Sequence, residues 1–254
     1  MIVSVDMRRM RTIEWLDKDN LRACVQAGVT GMQLEEELNR QGFTSGHEPD
    51  SIELSTLGGW IATNASGMKK NRYGNIEQIV ENITMITPEG TLEQIQPMPR
   101  ASMGMQPQNL LFGSEGNLGL ITKAVIKIYP IPEVKRYGSL VFPDFELGVE
   151  FLHRLARTGY IPASIRLVDN VQFRFGQALK PASTGWGALV DKIKKFYLVQ
   201  VRGIDLHKMA AATIVMEGSA EEVRYQEANI YNLAKQYKGI AAGAENGKRG
   251  YMLT

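Results

Sequence analysis

Residues 47–74, HEPDSIELSTLGGWIATNASGMKKNRYG, decide the fold of this chain, because small residues, hydroxyls and amides are concentrated where a core would need bulk. Gly58, Gly59 and Gly67 let the main chain approach a ligand closely. Thr63 and Asn64 add side-chain hydrogen-bonding groups. The stretch predicts a surface for a polar, flat, phosphate-bearing cofactor. The alternative is a series of turns between ordinary elements.

A second glycine-rich segment, residues 111–132, reads LFGSEGNLGLITKAVIKIYPIP. Its glycines, Gly113, Gly116 and Gly119, recur every third residue before an apolar strand. This spacing is not the G-x-G-x-x-G pattern of dinucleotide-binding βαβ units, which excludes that class of site.

Together the two segments resemble the FAD-binding domain of the vanillyl-alcohol oxidase type, also called the PCMH-type domain. Its small-Gly-Gly run and its aromatic-Gly pair are matched by Thr56 to Gly67 and by Tyr73-Gly74. Its Gly-Ser-Glu-Gly-x-Leu-Gly-(apolar)-Ile-Thr run is matched at each position from Gly113 to Thr122. The resemblance implies FAD as cofactor.

Within this fold the chain resembles the alkyldihydroxyacetonephosphate synthases, from Thr44 to the last residue. The segments that carry the resemblance are TSGHEPDSIELSTLGGWIATNASGMKKNRYGN, FPDFELGVEFL, PASIRLVDNVQFRFGQALKP, KKFYL and AAGAENGKRGYMLT. The resemblance implies an alkyl transferase of ether lipid (plasmalogen) biosynthesis. Such an enzyme exchanges the acyl chain of acyl-dihydroxyacetone phosphate for a long-chain fatty alcohol through a covalent flavin adduct, without net oxidation. An apolar tunnel for the alcohol is implied as well.

The resemblance also implies three flavin-contacting stretches. Their residues are Asp50, Ser51, Ile52, Glu53, Leu54, Ser55 and Thr56, then Thr63, Asn64, Ala65, Ser66, Gly67, Met68 and Lys69, and finally Glu115, Gly116, Asn117, Leu118, Gly119, Leu120 and Ile121. The first turn of a predicted helix at 57–64 would aim free N–H groups at the flavin diphosphate.

Two residues are predicted to be catalytic. Arg166 matches a family arginine near the flavin, where it would stabilise negative charge. The alternative for Arg166 is a strand arginine paired with Asp169. His47 precedes the cofactor segment and could transfer a proton near pH 7, whereas the alternative is an exposed loop histidine.

Composition indicates a globular chain and excludes several classes of function. The 254 residues are 44% hydrophobic and 22% charged, and a net charge of +2 gives no case for nucleic acid. One cysteine, Cys24, excludes a disulfide framework. Three scattered histidines predict no metal site. The first residues resemble neither a secretory signal nor a membrane span.

The predicted fold class is α+β. Residues 1–134 are expected to form the C-terminal part of a PCMH-type FAD-binding domain, and 135–254 the start of a ferredoxin-like α/β cap domain for the substrate. The predicted strands are 2–6, 12–16, 21–26, 79–87, 91–95, 120–129, 138–142, 163–168, 210–217 and 239–243. The predicted helices begin after Thr30 and at 57, 144 and 219, with others within 170–199.

Both ends of the family's sequence pattern are unmatched, so the chain is expected to lack its diphosphate loop and its catalytic tyrosine, phosphate-binding arginine and histidines. Peroxisomal location, peripheral membrane association and a homodimer follow from the resemblance alone, since the chain ends YMLT instead of SKL. Two alternatives stay open: an FAD-dependent 2-hydroxy acid dehydrogenase of the D-lactate type, and a non-catalytic fragment.

Overall fold

The computed structural model describes residues 4–94, 102, 104, 106–178 and 205–253. They divide into two compact units, residues 1–131 and 132–254. Each unit combines an antiparallel sheet with helices, which confirms the predicted α+β class.

The first unit is built on a five-stranded antiparallel sheet in the order β1-β2-β6-β4-β5. A short pair, β3 with β7, lies outside this sheet. The strands are β1 Ile13–Asp17, β2 Arg22–Gln26, β3 Phe43–Thr44, β4 Val80–Thr87, β5 Gly90–Leu92, β6 Leu120–Lys127 and β7 Tyr129–Pro130. The helices are α1 Gly31–Arg40, α2 Leu57–Ala62, α3 Lys70–Tyr73 and α4 Ile76–Ile79, with a 3-10 turn at Pro107–Leu110.

Helix α1 begins where the sequence predicts. Thr30 Oγ1 accepts a hydrogen bond from the N–H of Gln33, and Gln33 Oε1 accepts one from the N–H of Thr30, which is a capping box. Leu34 and Leu38 from this helix are fully buried against the sheet. Burial of such a side chain stabilises the fold by about 1.5–3 kcal/mol.

Other expectations for this unit are partly met. The hairpin at Pro88-Glu89-Gly90 is confirmed, with Thr87 paired to Gly90. The strand predicted at 2–6 is wrong for the described residues 4–6, because Asp6 instead holds a local turn by accepting hydrogen bonds from the N–H and guanidinium of Arg8. Helix α2 ends at Ala62, two residues earlier than predicted.

The second unit has a four-stranded antiparallel sheet in the order β11-β8-β10-β9. Its strands are β8 Val134–Phe142, β9 Ser164–Val168, β10 Ala210–Gly218 and β11 Ile240–Ala241. Its helices are α5 Phe145–Leu155, α6 Asn170–Ala178, α7 Ala220–Gln236 and α8 Ala244–Leu253. One face of the sheet packs against α5 and α7 through side chains such as Phe142, Phe151 and Ile230.

The helices of this unit begin at polar caps. Asp144 accepts from the N–H of Leu147 at 2.8 Å, as its predicted cap position requires, and Ser219 accepts from the N–H of Glu222. Of the helices predicted within 170–199, the structure describes α6, and residues 179–204 lie outside the described range. Helix α8 was not predicted as a helix.

Candidate functional site

The two glycine-rich motifs meet in the first unit. The N–H of Gly113 donates to the carbonyl oxygen of Ile61 at 3.1 Å, and the N–H of Glu115 donates to that of Ala62 at 2.9 Å. These bonds fasten the second motif to the C-terminal end of α2, where the stretch from Thr63 to Lys69 begins. Two of the three stretches predicted to contact flavin therefore form one joined surface, called the motif junction below.

The motif junction presents exposed groups on unusual backbone. Asn64 and Glu115 are both exposed and have left-handed φ values of 50° and 48°. Such conformations cost about 1–3 kcal/mol for non-glycine residues and cluster at functional sites. Gly113 and Gly116 are also left-handed, and a Cβ on Gly116 would meet nothing within 4 Å. The backbone here is open for a flat ligand to approach.

The stretch from Asp50 to Thr56 lies beside the start of α2. The indole Nε1 of Trp60 donates to Ser55 Oγ at 2.8 Å, and Ser55 Oγ donates to the carbonyl oxygen of Ser51 at 2.7 Å. The N–H of Gly31 donates to the carbonyl oxygen of Ser55. These bonds fix the stretch while Asp50, Ser51, Glu53 and Leu54 stay exposed.

The first turn of α2 is not free to bind an anion, contrary to the prediction. The N–H of Leu57 donates to the carbonyl oxygen of Val29 at 3.0 Å, and the N–H of Gly58 donates to that of Ala27 at 2.8 Å. The N–H of Gly59 donates to Thr56 Oγ1. Because two carbonyls of the β2–α1 loop and the Thr56 hydroxyl satisfy these donors, this end of α2 is bonded to the protein itself and has no free N–H group for a diphosphate.

His47 is buried, with 1% of its surface exposed. Its ring meets Trp60 edge-on at a centroid distance of 4.9 Å, and a Cβ on Gly67 would come within 2.9 Å of its Nδ1. Burial lowers the pKa of His47 from 6.5 to about 4, so the ring is neutral at pH 7. The expected titration near pH 7 therefore does not fit this environment, and a catalytic role for His47 stays a prediction.

Glu35, a residue that the sequence analysis did not select, organises the turn that carries His47. Its carboxylate accepts from Thr44 Oγ1 at 2.6 Å and from the N–H and Oγ of Ser45 at 2.9 and 2.5 Å. Ser45 Oγ in turn accepts from the N–H of His47 at 3.2 Å. The available signal was a glutamate placed between Leu34 and Leu38, next to the buried stripe of α1.

Lys69 joins the same turn to the stretch 63–69, which is predicted to contact flavin. Its buried Nζ lies 3.3 Å from Glu48 Oε2 and 5.2 Å from the ring centroid of Tyr73. The N–H of Met68 donates to the carbonyl oxygen of Glu48 at 2.8 Å. Since the ammonium is buried and paired, Lys69 fixes the backbone of this stretch.

Unpartnered buried atoms in this region fit a bound group. Among the described residues, both ring nitrogens of His47 and the Oγ of Ser114 are buried without a hydrogen-bond partner. Buried polar groups are nearly always hydrogen-bonded in folded proteins. With the open glycine backbone at Gly113 and Gly116, these atoms make the motif junction compatible with FAD. Ser114 was not predicted as a site residue, although it lies inside the second motif.

Arg166 lies in the second unit, on β9, paired in register with Thr213 of β10. It lines a cavity of about 1120 Å³ on the sheet face opposite α5 and α7. This volume slightly exceeds the range typical of small-molecule sites, about 300–1,000 Å³. The described residues that line the cavity all belong to the second unit, and most of its surface is apolar.

The part of the chain that the structure describes offers no metal cluster and no membrane-spanning helix. No group of three or more His, Cys, Asp or Glu side chains there is placed to hold a metal ion. No helix among those residues combines the length and the apolar character needed to cross a membrane.

Comparison with known proteins agrees with this geometry. Residues 1–96 match the family described as FAD binding domain, and residues 131–249 match the FAD linked oxidases, C-terminal domain. The pair defines a class of FAD-linked enzymes with a PCMH-type fold, and it confirms FAD as the predicted cofactor.

Similar proteins indicate which family of FAD-linked enzymes the chain resembles. An alkyldihydroxyacetonephosphate synthase of Caenorhabditis elegans is 49% identical over 254 residues, which is 100% of this chain and 42% of that protein. One of Dictyostelium discoideum is 35% identical over 97% of this chain and 40% of its own length. A solved structure titled alkyldihydroxyacetonephosphate synthase aligns with a TM-score of 0.84 at 33% identity, over 96% of this chain and 44% of that one.

The chain belongs to the alkyldihydroxyacetonephosphate synthase family of FAD-linked enzymes. It spans about two fifths of the length of the curated relatives that it matches.

Proposed function

We propose that this chain supplies the flavin-contacting and substrate-binding parts of an alkyldihydroxyacetonephosphate synthase. The reaction exchanges the acyl chain of acyl-dihydroxyacetone phosphate for a long-chain fatty alcohol and so belongs to ether lipid biosynthesis. The observation that supports it most is the motif junction, where Gly113 and Glu115 are hydrogen-bonded to Ile61 and Ala62. All 254 residues of the chain that carries this surface align with such a synthase.

FAD, when bound, supplies an electron sink for this exchange. The chain's own residues hold and orient it. The open backbone of Gly113 and Gly116 permits close approach, and the stretches at 50–56, 63–69 and 115–121 provide the proposed contacts. The Glu35 carboxylate and the Lys69–Glu48 ion pair fix the turn beneath them. This preorganisation limits the ordering that binding would otherwise require.

Arg166 is proposed to stabilise negative charge that develops on the reacting groups. A guanidinium remains charged at any physiological pH and offers a planar set of donors. Arg166 lies at a largely apolar cavity, where such an interaction is stronger than in water. The apolar wall of the same cavity is the proposed site for the alkyl chain. His47 is proposed to act in its neutral form.

Three finer features are proposed from the family alone. They are a peroxisomal location, peripheral association with a membrane, and assembly as a homodimer.

The first test measures FAD binding by the 254-residue chain through the visible spectrum of protein-retained flavin. Binding is expected, and Gly116→Ala should weaken it about tenfold, equivalent to about 1.4 kcal/mol. Gly42→Ala is the matched control, because Gly42 is also left-handed with open space at its Cβ position but lies outside the motif junction. A chain that retains no flavin contradicts the proposal, as does equal weakening by both substitutions.

A second test separates the proposed reaction from the alternatives. Labelled hexadecanol incorporated into a product with acyl-dihydroxyacetone phosphate supports the exchange. D-lactate reduction of an electron acceptor would instead favour a dehydrogenase, and flavin binding without either reaction would indicate a non-catalytic fragment. In a complete enzyme, Arg166→Lys is expected to abolish the exchange while flavin is retained, whereas Arg157→Lys, at an exposed position, should leave it unchanged.

A further inference from the structure

Trp60 lies in α2 and contacts two of the segments that surround this helix. Its side chain is buried, with 2% of its surface exposed. The indole ring meets the ring of His47 edge-on at a centroid distance of 4.9 Å. The carbonyl oxygen of Trp60 accepts from the N–H of Ala65, within the stretch 63–69, at 2.9 Å. Trp60 thus joins the turn that carries His47 to the second stretch predicted to contact flavin.

The indole N–H of Trp60 reaches a third segment, the stretch 50–56. It donates to Ser55 Oγ at 2.8 Å, and Ser55 Oγ donates to the carbonyl oxygen of Ser51 at 2.7 Å. An indole has one donor and no acceptor, so the Ser55 oxygen must accept this bond while its proton is directed at Ser51. Two hydrogen bonds in series therefore connect the buried indole to the exposed Ser51.

Close packing at the start of α1 fixes the position of the indole. A Cβ on Gly31 would come within 2.6 Å of Trp60 Cζ2 and within 2.5 Å of Ile52 Cγ1, so only glycine permits this approach. The N–H of Gly31 donates to the carbonyl oxygen of Ser55 at 3.1 Å, and the N–H of Met32 donates to that of Ile52 at 3.0 Å. The start of α1 therefore holds the same stretch from its other side.

We infer that Trp60 is a positioning residue of the flavin site: through its indole N–H and the Ser55 hydroxyl it holds the stretch 50–56 in the conformation that binds FAD. The inference rests on the proposed function, which gives this stretch a contact with the cofactor. A stretch that is ordered before binding adds less ordering cost to the binding equilibrium. Loss of the indole bond should therefore weaken FAD binding even though the fold is retained.

The first test is a double-mutant cycle on the FAD affinity of the full 254-residue chain, measured by titration of flavin fluorescence. Trp60→Phe keeps a ring against His47 and removes the donor to Ser55. It should weaken FAD binding about tenfold in the parent chain and cause no further loss in a Ser55→Ala background. Equal losses in the two backgrounds would overturn the inference, because Trp60 would then act independently of Ser55. Unchanged affinity in Trp60→Phe would overturn it as well.

Two further variants control this cycle. Ser55→Thr keeps the hydroxyl that accepts from the indole, so it should retain FAD affinity that Ser55→Ala loses. Trp15→Phe, at a residue that is 39% exposed on β1, should not change the affinity. Equal FAD affinities of the parent chain and Ser55→Ala would overturn the inference even if Trp60→Phe failed to fold.

Hydrogen exchange of the flavin-free chain tests the positioning without the cofactor. Trp60→Phe and Ser55→Ala should each speed exchange about tenfold at the amides of Gly31 and Met32, which are bonded to the stretch 50–56. The amide of the buried Leu38, in the same helix, should keep its parent rate. An equal rise at all three amides would indicate a general loss of stability and would overturn the inference, as would unchanged rates.

The two proposals can fail separately. A chain that binds no FAD, yet shows the local rise in exchange, would contradict the proposed function and leave the positioning by Trp60 intact. FAD binding that is equal in the parent chain and Trp60→Phe would do the opposite.

Discussion

The N–H of Glu115 donates a hydrogen bond to the carbonyl oxygen of Ala62 across 2.9 Å, joining two segments that are 53 positions apart in sequence. Both segments were predicted to contact flavin, and this bond together with the one from Gly113 to Ile61 brings them to a single surface. Glu115 adopts left-handed backbone at this point. The hydrogen bond and its neighbours therefore hold a strained loop in place.

Gly119 is required by the packing of the second motif on β4. A Cβ at this position would lie 2.4 Å from the carbonyl oxygen of Ile86. Because the obstacle is backbone, Gly119→Ala should lower the free energy of unfolding by about 1–3 kcal/mol. Gly59→Ala is the matched control. Its Cβ would only touch Thr56 Oγ1 at 3.4 Å in α2, so it should be neutral or stabilise by up to about 1 kcal/mol. Urea denaturation of both variants checks the difference, and similar stabilities would contradict the packing.

Glu35 is predicted to stabilise the turn that carries His47, next to the stretches predicted to contact flavin. Glu35→Gln preserves size but replaces one acceptor oxygen by an amide donor, which disturbs the bonds from Thr44 and Ser45. The expected loss is about 1–3 kcal/mol of unfolding free energy, measured by chemical denaturation. Glu36→Gln serves as control, since its exposed 4.0 Å pair with Arg40 should matter by less than about 1 kcal/mol. Equal effects would rule out a special role for Glu35.

Local signals in the sequence were sufficient to predict most helices and strands of the fold. Thr30 and Asp144 are true helix caps because their side chains satisfy backbone N–H groups that the helix leaves unpaired. The motif from Gly113 to Thr122 was identified by its resemblance to the PCMH-type family, position by position. Helix caps and glycine motifs depend on residues that are close in sequence, so one amino-acid sequence is enough to predict them.

The features that the sequence did not predict depend on contacts between residues that are distant in sequence. The N–H groups in the first turn of α2 are bonded to the carbonyl oxygens of Ala27 and Val29. The sequence does not show that these residues lie next to α2. The low pKa of His47 arises from enclosure by Trp60 and Gly67. Helix α8 contains Gly247 and Gly250, which weaken helix propensity, and its packing on the sheet compensates for that weakness.

Cys24 is predicted to be unreactive in the folded chain. Burial, followed by the nearby Glu14 carboxylate, raises the pKa of its thiol to about 11. Roughly one thiol in a thousand is then ionised at pH 8, and the thiolate is the reactive form. Iodoacetamide should modify Cys24 at a rate that rises steeply above the denaturant midpoint, measured by intact mass. Rapid modification in buffer would contradict the buried position on β2.

His47 is predicted to make stability fall as the pH is lowered through 6.5. Burial depresses its pKa in the folded state to about 4, whereas the unfolded chain takes up the proton near 6.5. The stabilisation is therefore fully present above pH 6.5 and is lost as the pH falls towards 4, by roughly 3 kcal/mol in total. His47→Phe, which keeps a ring against Trp60 and removes the titrating nitrogens, should flatten this part of the stability profile. The exposed His153→Gln variant should follow the parent chain. Denaturation at pH 7 and 4.5 measures the contrast, and equal pH dependence in the parent and His47→Phe would show that another group is responsible.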